Sequence, residues 1–231
     1  FLKFYKTKHL APELLKFSKY SLTEFVKNDI QKYKIIACPG CYPTSIQLPL
    51  IPLFKKNLLN TKGIIIDSKS GYSGAGKNLK KKFTHKNIFS AIKTYGISNH
   101  RHTAEIDQEF KKSTKSKIFY NFTPNLIPTF RGMLSTIYVE PKGNVTIRKI
   151  HNELKKFHKK NYFINILPIN KNLGTENVLN TNLCEISVCK LKGSKKIMIL
   201  SAIDNLIKGA SGQAVQNMNL LYNLNEKIGL K

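Results

Sequence analysis

Apolar and polar positions repeat along this chain with two periods, and the changes between them mark out its elements. Ile147, Ile150, Leu154 and Phe157 are spaced by three, four and three, which predicts an amphipathic helix over "IRKIHNELKKFHKK" capped by Thr146. "PELLKF" and "TEFVKNDIQKY" predict helical structure across residues 11 to 33. "KIIAC" is a short apolar run suited to a buried strand, and "PGCYP" after it has the composition of a turn. "SIQLPLIPLFKKNLL" predicts a helix ending in lysines, with Pro49 and Pro52 expected to shorten or kink it.

Further on, "KGIIIDSKSGYSGAGK" is a strand running into a Gly/Ser-rich loop, and "FSAIKTYGIS" predicts another strand. "NHRHTAEIDQEFKK" reads as a loop feeding a helix. "KIFYNFTPNLIP", "RGMLSTIYVEP" and "YFINIL" are strands by their β-branched and aromatic content. "EISVCKLKGSKKIMILSAID" predicts a hairpin turning at Gly193-Ser194, and "NLIKGASGQAVQNMNLLYNL" a final helix. Strands and helices interleave, but several neighbouring strands have no helix between them. The expected fold class is therefore α/β with a mixed sheet.

Composition narrows the function. The chain has 231 residues and a net charge of +26, with 41% apolar residues. The lysine clusters "KNLKKKF", "EFKKSTKSK" and "NELKKFHKK" fall on different elements, and only three residues are arginine. Scattered lysines describe a solvated surface better than a nucleic-acid face, so nucleic acid is not the expected partner. No apolar run of about 18 residues predicts a membrane span. The opening lacks a signal-peptide layout and an initiator Met, so the chain is expected to begin partway through a longer protein. Four cysteines do not make a disulfide scaffold, and a reducing cytoplasm is the expected location.

"CPGC" places Cys38 and Cys41 around a predicted turn between strand and helix. Backbone N–H groups and the helix dipole there favour an anion, so Cys41 is expected to have a lowered pKa and to act as a nucleophile. A Cys38–Cys41 redox pair and a buried structural thiol are the other two readings. A zinc site would need two more ligands, and Cys184 and Cys189 lack the paired spacing, so no metal is expected. A thiol nucleophile needs a proton shuttle, and "NHRHTAEI" offers His100 and His102, of which alternation would turn one inward. The glycines of "SKSGYSGAGK" let backbone N–H groups approach an anion, although the loop is not a P-loop.

"GCYPT", "SKSGYSGAGK", "YGISNHRHTAEI", "FTPNLIPTFRGMLSTIYV" and "DNLIKGASGQAVQNMN" occur in this order. With these five stretches the chain resembles the N-acetyl-gamma-glutamyl-phosphate reductases, within the broader aspartate-semialdehyde dehydrogenase-like group. The resemblance implies a mixed-sheet catalytic domain over residues 41–205. Residues 1–40 would be the tail of a Rossmann dinucleotide-binding domain, and residues 206–231 a helix returning to it. It implies NADPH as cofactor, an acyl-phosphate substrate in arginine biosynthesis, and a homo-oligomer. Cys41 would form a thioester and His100 would be its acid/base partner. Arg101, Arg131 and Ser70 would hold substrate, and Ser73, Gly74 and Asn205 would meet the nicotinamide. Cys38 stands where the family usually has Asn, so by this resemblance Cys41 is the nucleophile and Cys38 its neighbour. No glycine-rich dinucleotide turn opens the chain, and the region that carries it in the family is expected to lie upstream.

Overall fold

The computed structural model describes residue 2 and residues 6–27, 29–76 and 90–231. Two pieces of the predicted elements, Phe89 of the strand expected at 89–98 and Lys77 of the glycine-rich loop, lie outside the described residues.

The first part of the chain departs from the sequence expectation. Residues 11 to 33 form no continuous helix. Pro12 opens a 3₁₀ turn, Pro12–Phe17, and Ser18–Tyr20 (β1) is extended. A single helical turn, Thr23–Val26 (α1), follows. β1 pairs in parallel with Ile35–Ala37 (β2), Lys19 opposite Ile36. The helical turn stops at Phe17 because Ile35–Ala37 takes the Ser18–Tyr20 backbone as a strand.

Cys41–Lys55 (α2) is the central helix. Every residue from Cys41 to Phe54 is buried, as expected of a helix apolar on most sides. It runs through both prolines instead of stopping. Pro52 has no N–H for the carbonyl of Leu48, and His158 supplies the missing donor, its Nε2 lying 3.0 Å from that oxygen.

Among the described residues the main sheet has seven strands. In chain order they are Ile64–Gly71 (β3), Lys93–Thr94 (β4), Tyr120–Ile127 (β5), Met133–Val139 (β6), Ile164–Ile166 (β7), Cys184–Lys190 (β8) and Ile197–Ile203 (β9). Their spatial order is β4-β5-β3-β6-β9-β8-β7. β3 lies parallel to β5 and β7 to β8, and the other neighbours are antiparallel, so the expected mixed sheet is present. The hairpin between β8 and β9 turns at Gly193, whose φ of +68° suits glycine. The strand expected from "FSAIKTYGIS" is reduced to the two residues of β4.

α2 packs across one face of the sheet against β6 and β9, flanked by Thr103–Ser113 (α3) and Ile147–His158 (α4). Ile64, Ile66, Met133 and Ile137 point into this layer with Ile46, Leu50 and Leu53 of α2. Thr146 caps α4 as predicted, its hydroxyl accepting from the Lys149 N–H at 3.2 Å. Three buried serines cross the layer: Ser45 of α2 and Ser68 of β3 each come within 2.7 Å of Ser135 Oγ on β6. After β9 the chain makes a π turn, Ile207–Ser211, and ends in Gly212–Leu221 (α5). α5 packs on the amino-terminal segment, where Asn217 Oδ1 accepts from the Ser21 hydroxyl at 2.7 Å and the Thr23 hydroxyl at 2.8 Å.

Candidate active site

Cys41 is the first residue of α2, and Gly40 before it caps the helix in an extended conformation with no side-chain partner. Residues 38 to 40 make no turn, contrary to the expectation from Pro39-Gly40. Glu105 on the first turn of α3 takes the Gly40 N–H at 3.0 Å. The same carboxylate oxygen accepts from the Tyr20 hydroxyl at 2.9 Å, tying β1 to the start of α2.

A cleft of about 460 Å³ opens at this point. Cys38, Cys41, Arg101, His102 and Glu105 stand on its walls together with Ser73, Gly74 and Asn205. These residues come from four separate stretches of the chain, and among them are Cys41, Arg101, Ser73, Gly74 and Asn205, which the sequence had singled out.

The charge state of Cys41 differs from the expectation. Burial pushes its thiol up to about 11, and the nearby Glu105 adds to this. The backbone N–H groups of Tyr42 and Cys41, and Arg101, pull the other way without prevailing. The helix terminus does favour the thiolate, but desolvation of a residue that is only 8% exposed is the larger effect. Cys41 therefore rests as a thiol and needs a base.

His102, rather than His100, stands on the cleft wall. Any side chain added to Gly40 would run into the His102 ring. The stretch from 100 to 102 is turned, not extended, so alternation does not apply and both imidazoles are buried. His100 packs among the rings of Tyr42, Tyr95 and Phe122, with centroids at 5.3, 5.2 and 5.7 Å. Its Nδ1 accepts the backbone N–H of His102 at 3.2 Å, so it orients the loop that carries His102. Burial first, then His100 and Arg101, hold His102 down to about 3. Burial and Arg101 hold His100 down to about 4. Both rings are neutral near pH 7, and a neutral imidazole sharing a cleft with a neutral thiol is the resting form a general base requires.

The part of the cleft lined by Ser73, Gly74 and Asn205 is preorganised. Asn205 Nδ2 donates to Ser73 Oγ at 2.9 Å, and its Oδ1 accepts the Gly132 N–H at 2.7 Å. A methyl group at Gly74 would meet Ser70 Oγ at 2.6 Å, so only glycine lets this loop lie so close to the sheet. Ser70 itself is buried beneath the loop, its hydroxyl donating to the Gly71 carbonyl at 3.1 Å, and it does not line the cleft. Arg131 is not on the cleft wall either. Its Nη1 donates to the buried carboxylate of Asp204 at 3.0 Å, which engages it in holding the end of β9 to the residues before β6.

Cys38 is exposed, with its sulfur 3.5 Å from Asn217 Nδ2. All four cysteines are free thiols. Among the described residues no group of three or more His, Cys, Asp or Glu is placed to hold a metal ion. Nor is any helix among them long and apolar enough to cross a membrane. Glu105 is the site residue the sequence reading missed, while His102 was offered there beside His100 and the resemblance chose His100. For Glu105 the available signal was its place four residues after Arg101, at the start of a helix.

The chain is similar to several known proteins. A probable N-acetyl-gamma-glutamyl-phosphate reductase, chloroplastic, of Arabidopsis thaliana is 44% identical over 228 residues, 99% of this chain and 57% of that protein. An N-acetyl-gamma-glutamyl-phosphate reductase of Clostridium kluyveri is 42% identical over 99% of this chain and 66% of its own length. One of Ehrlichia canis is 43% identical over 96% of this chain and 64% of its own length. The chain thus spans between about half and two thirds of these relatives. The crystal structure of aspartate semialdehyde dehydrogenase II from Vibrio cholerae superposes with a TM-score of 0.69 at 16% identity, over 90% of this chain and 69% of that one, and so shares the fold. Residues 41–205, from the cleft cysteine to Asn205, match the model of the semialdehyde dehydrogenase dimerisation domain, and the chain belongs to that family.

Proposed function

We propose that this chain carries the catalytic part of an N-acetyl-gamma-glutamyl-phosphate reductase, which turns N-acetyl-glutamyl 5-phosphate into N-acetyl-glutamate 5-semialdehyde and phosphate. The observation that carries the reading is the meeting of Cys41, His102 and Arg101 in one cleft facing the Ser73–Gly74 loop. The names of the relatives give the substrate.

In this reading His102 takes the Cys41 proton as the sulfur attacks the acyl carbon, and phosphate leaves to give a thioester. Arg101, exposed at the cleft, meets the phosphate or the substrate carboxylate. The N–H groups at the start of α2 face the oxygen on which negative charge develops. NADPH, when bound, would supply the hydride for reduction of the thioester to the aldehyde. Ser73, Gly74 and Asn205 fit its nicotinamide end, because the glycine and the two side-chain bonds of Asn205 hold an open, polar wall in the same cleft as Cys41. His102 returns its proton to the sulfur as the aldehyde departs.

This activity belongs to arginine biosynthesis, and we place it in the cytoplasm, whose reducing conditions keep Cys41 a thiol. A second copy of the chain is the partner the family description suggests. The half-reaction tests the reading without cofactor. Mixing the protein with synthetic N-acetyl-glutamyl 5-phosphate is expected to release one phosphate per chain and add an N-acetyl-glutamyl mass to the peptide containing Cys41. Aspartyl phosphate should give far less of both. No phosphate burst, or an acyl group on another residue, would overturn the proposal.

A further inference from the structure

We propose that the buried Glu24–Lys208 ion pair positions Cys41, acting through the π turn Ile207–Ser211. The inference rests on Cys41 being the nucleophile, but its geometry and its test stand apart from any substrate.

Lys208 and Gly209 are neighbours on that turn and face opposite ways. Gly209 lies directly on the cysteine: a methyl group there would sit 2.6 Å from Cys41 Cβ and 3.0 Å from its Cα. Lys208 points away, and its side chain is fully buried. Its Nζ donates to Glu24 Oε1 at 2.5 Å and to Gln216 Oε1 at 2.8 Å. Glu24 belongs to α1, in the amino-terminal segment, and it too is fully buried. Burial alone would raise the Glu24 pKa, but the ammonium of Lys208 outweighs it and holds the carboxyl below its usual range.

The turn is wide but firmly closed. The Gly209 N–H reaches back to the Asp204 carbonyl at 3.0 Å, and the Ser211 N–H to that of Leu206 at 3.0 Å. A π turn is a rare conformation that tends to mark functional sites. Neither buried charge can leave the other without being stranded in a medium that does not solvate it. The pair therefore fixes where the turn lies, and the turn fixes the surface on which Cys41 rests. The carboxylate that sets the nucleophile's backstop thus comes from α1, outside the matched residues 41–205.

The test reads the thiols of the chain separately by iodoacetamide labelling and peptide mass spectrometry. In the double variant Glu24→Gln/Lys208→Met, which buries no lone charge, Cys41 is expected to label about tenfold faster because its cover opens locally. Cys189, itself buried in β8, should label at its unchanged rate. Lys208→Arg should keep Cys41 within about twofold of the parent. Equal acceleration of Cys41 and Cys189 would show general loosening and overturn the proposal, as would no change at Cys41. Should the double variant fail to fold, a chain with Glu24 and Lys208 both intact decides. Carbamidomethylation of Cys41, carried out on Cys38→Ser protein, must push Gly209 aside. Amide-exchange protection should then fall together in residues 207–211 and 21–26. Protection at 21–26 that is unaffected would reject the coupling. None of these readings needs acyl phosphate or cofactor, so failure here and failure of the proposed reaction are separately visible.

Discussion

The Nε2 of His158 on α4 donates to the Leu48 carbonyl on α2, at 3.0 Å, in the turn where Pro52 has no N–H to give. The other ring nitrogen, Nδ1, lies 3.0 Å from Asn161 Nδ2 and accepts from it. Both nitrogens of a neutral imidazole are thus used, and the helix behind Cys41 continues through a proline because a histidine from another helix completes it.

Replacing His158 by Leu should therefore cost about 1–3 kcal/mol, the penalty for an unmet buried carbonyl. Urea unfolding is the measurement. Combining His158→Leu with Pro52→Ala, which restores the missing backbone donor, should recover much of that loss. A double variant no better than the single one would contradict this account of the helix.

Acid sensitivity follows from the same buried rings. Burial holds His158 and His100 down to about 4 and His102 to about 3. In the unfolded chain each would titrate near 6.5. Between these values the unfolded state binds more protons, so stability is full above about pH 6.5 and falls as the pH drops toward 4. His158 alone contributes on the order of 3 kcal/mol to that decline. Denaturant midpoints measured from pH 7.5 to 4.5 should fall steadily, and the slope should be shallower in His158→Leu.

The two cysteines of "CPGC" should separate cleanly. Cys41→Ser is expected to leave thermal unfolding nearly unchanged and to abolish acylation by the acyl phosphate. Cys38→Ser should retain most of it, since its sulfur lies at the cleft edge beside Asn217. Liquid chromatography of the acylated peptide distinguishes the two, and similar behaviour would reverse the assignment.

His102→Asn should slow acylation by about 10²–10⁴-fold, the usual contribution of a positioned base. His100→Asn should act more weakly, because an amide oxygen can still accept the His102 N–H. Gly40→Ala should resemble His102→Asn, since the new methyl displaces the imidazole. With the thiol near 11 and His102 near 3, acylation should be flat from about pH 5 to 9. Stopped-flow release of phosphate across that range tests this.

Periodicity and end signals were enough for α4, the β8–β9 hairpin and the mixed sheet, because in each the pattern and the tertiary contacts agree. β1 was not legible: "SKY" has no strand pattern of its own and is extended only because Ile35–Ala37 lies beside it. The prolines of α2 suggested a shorter or kinked helix, since nothing in the sequence hints that His158 arrives more than a hundred positions later. In the site, Cys41 stood out from its place between strand and helix. The sign of its pKa shift did not, because the residues that bury it, such as Gly209, come from the far end of the chain. Arg131 looked free for substrate until Asp204 was placed against it. The choice between His100 and His102 turns on which ring the turned loop aims at Gly40, and no spacing rule reports that.

The three serine hydroxyls crossing from α2 to the sheet at Ser45, Ser135 and Ser68 have a mechanical consequence. Greasy contacts let a helix roll a few degrees on its bed at little cost, whereas a line of directional bonds does not. Ser45 lies one turn along from Cys41, so that line works as a key in a slot, setting the azimuth at which the sulfur faces the cleft whatever happens at the ends of the helix.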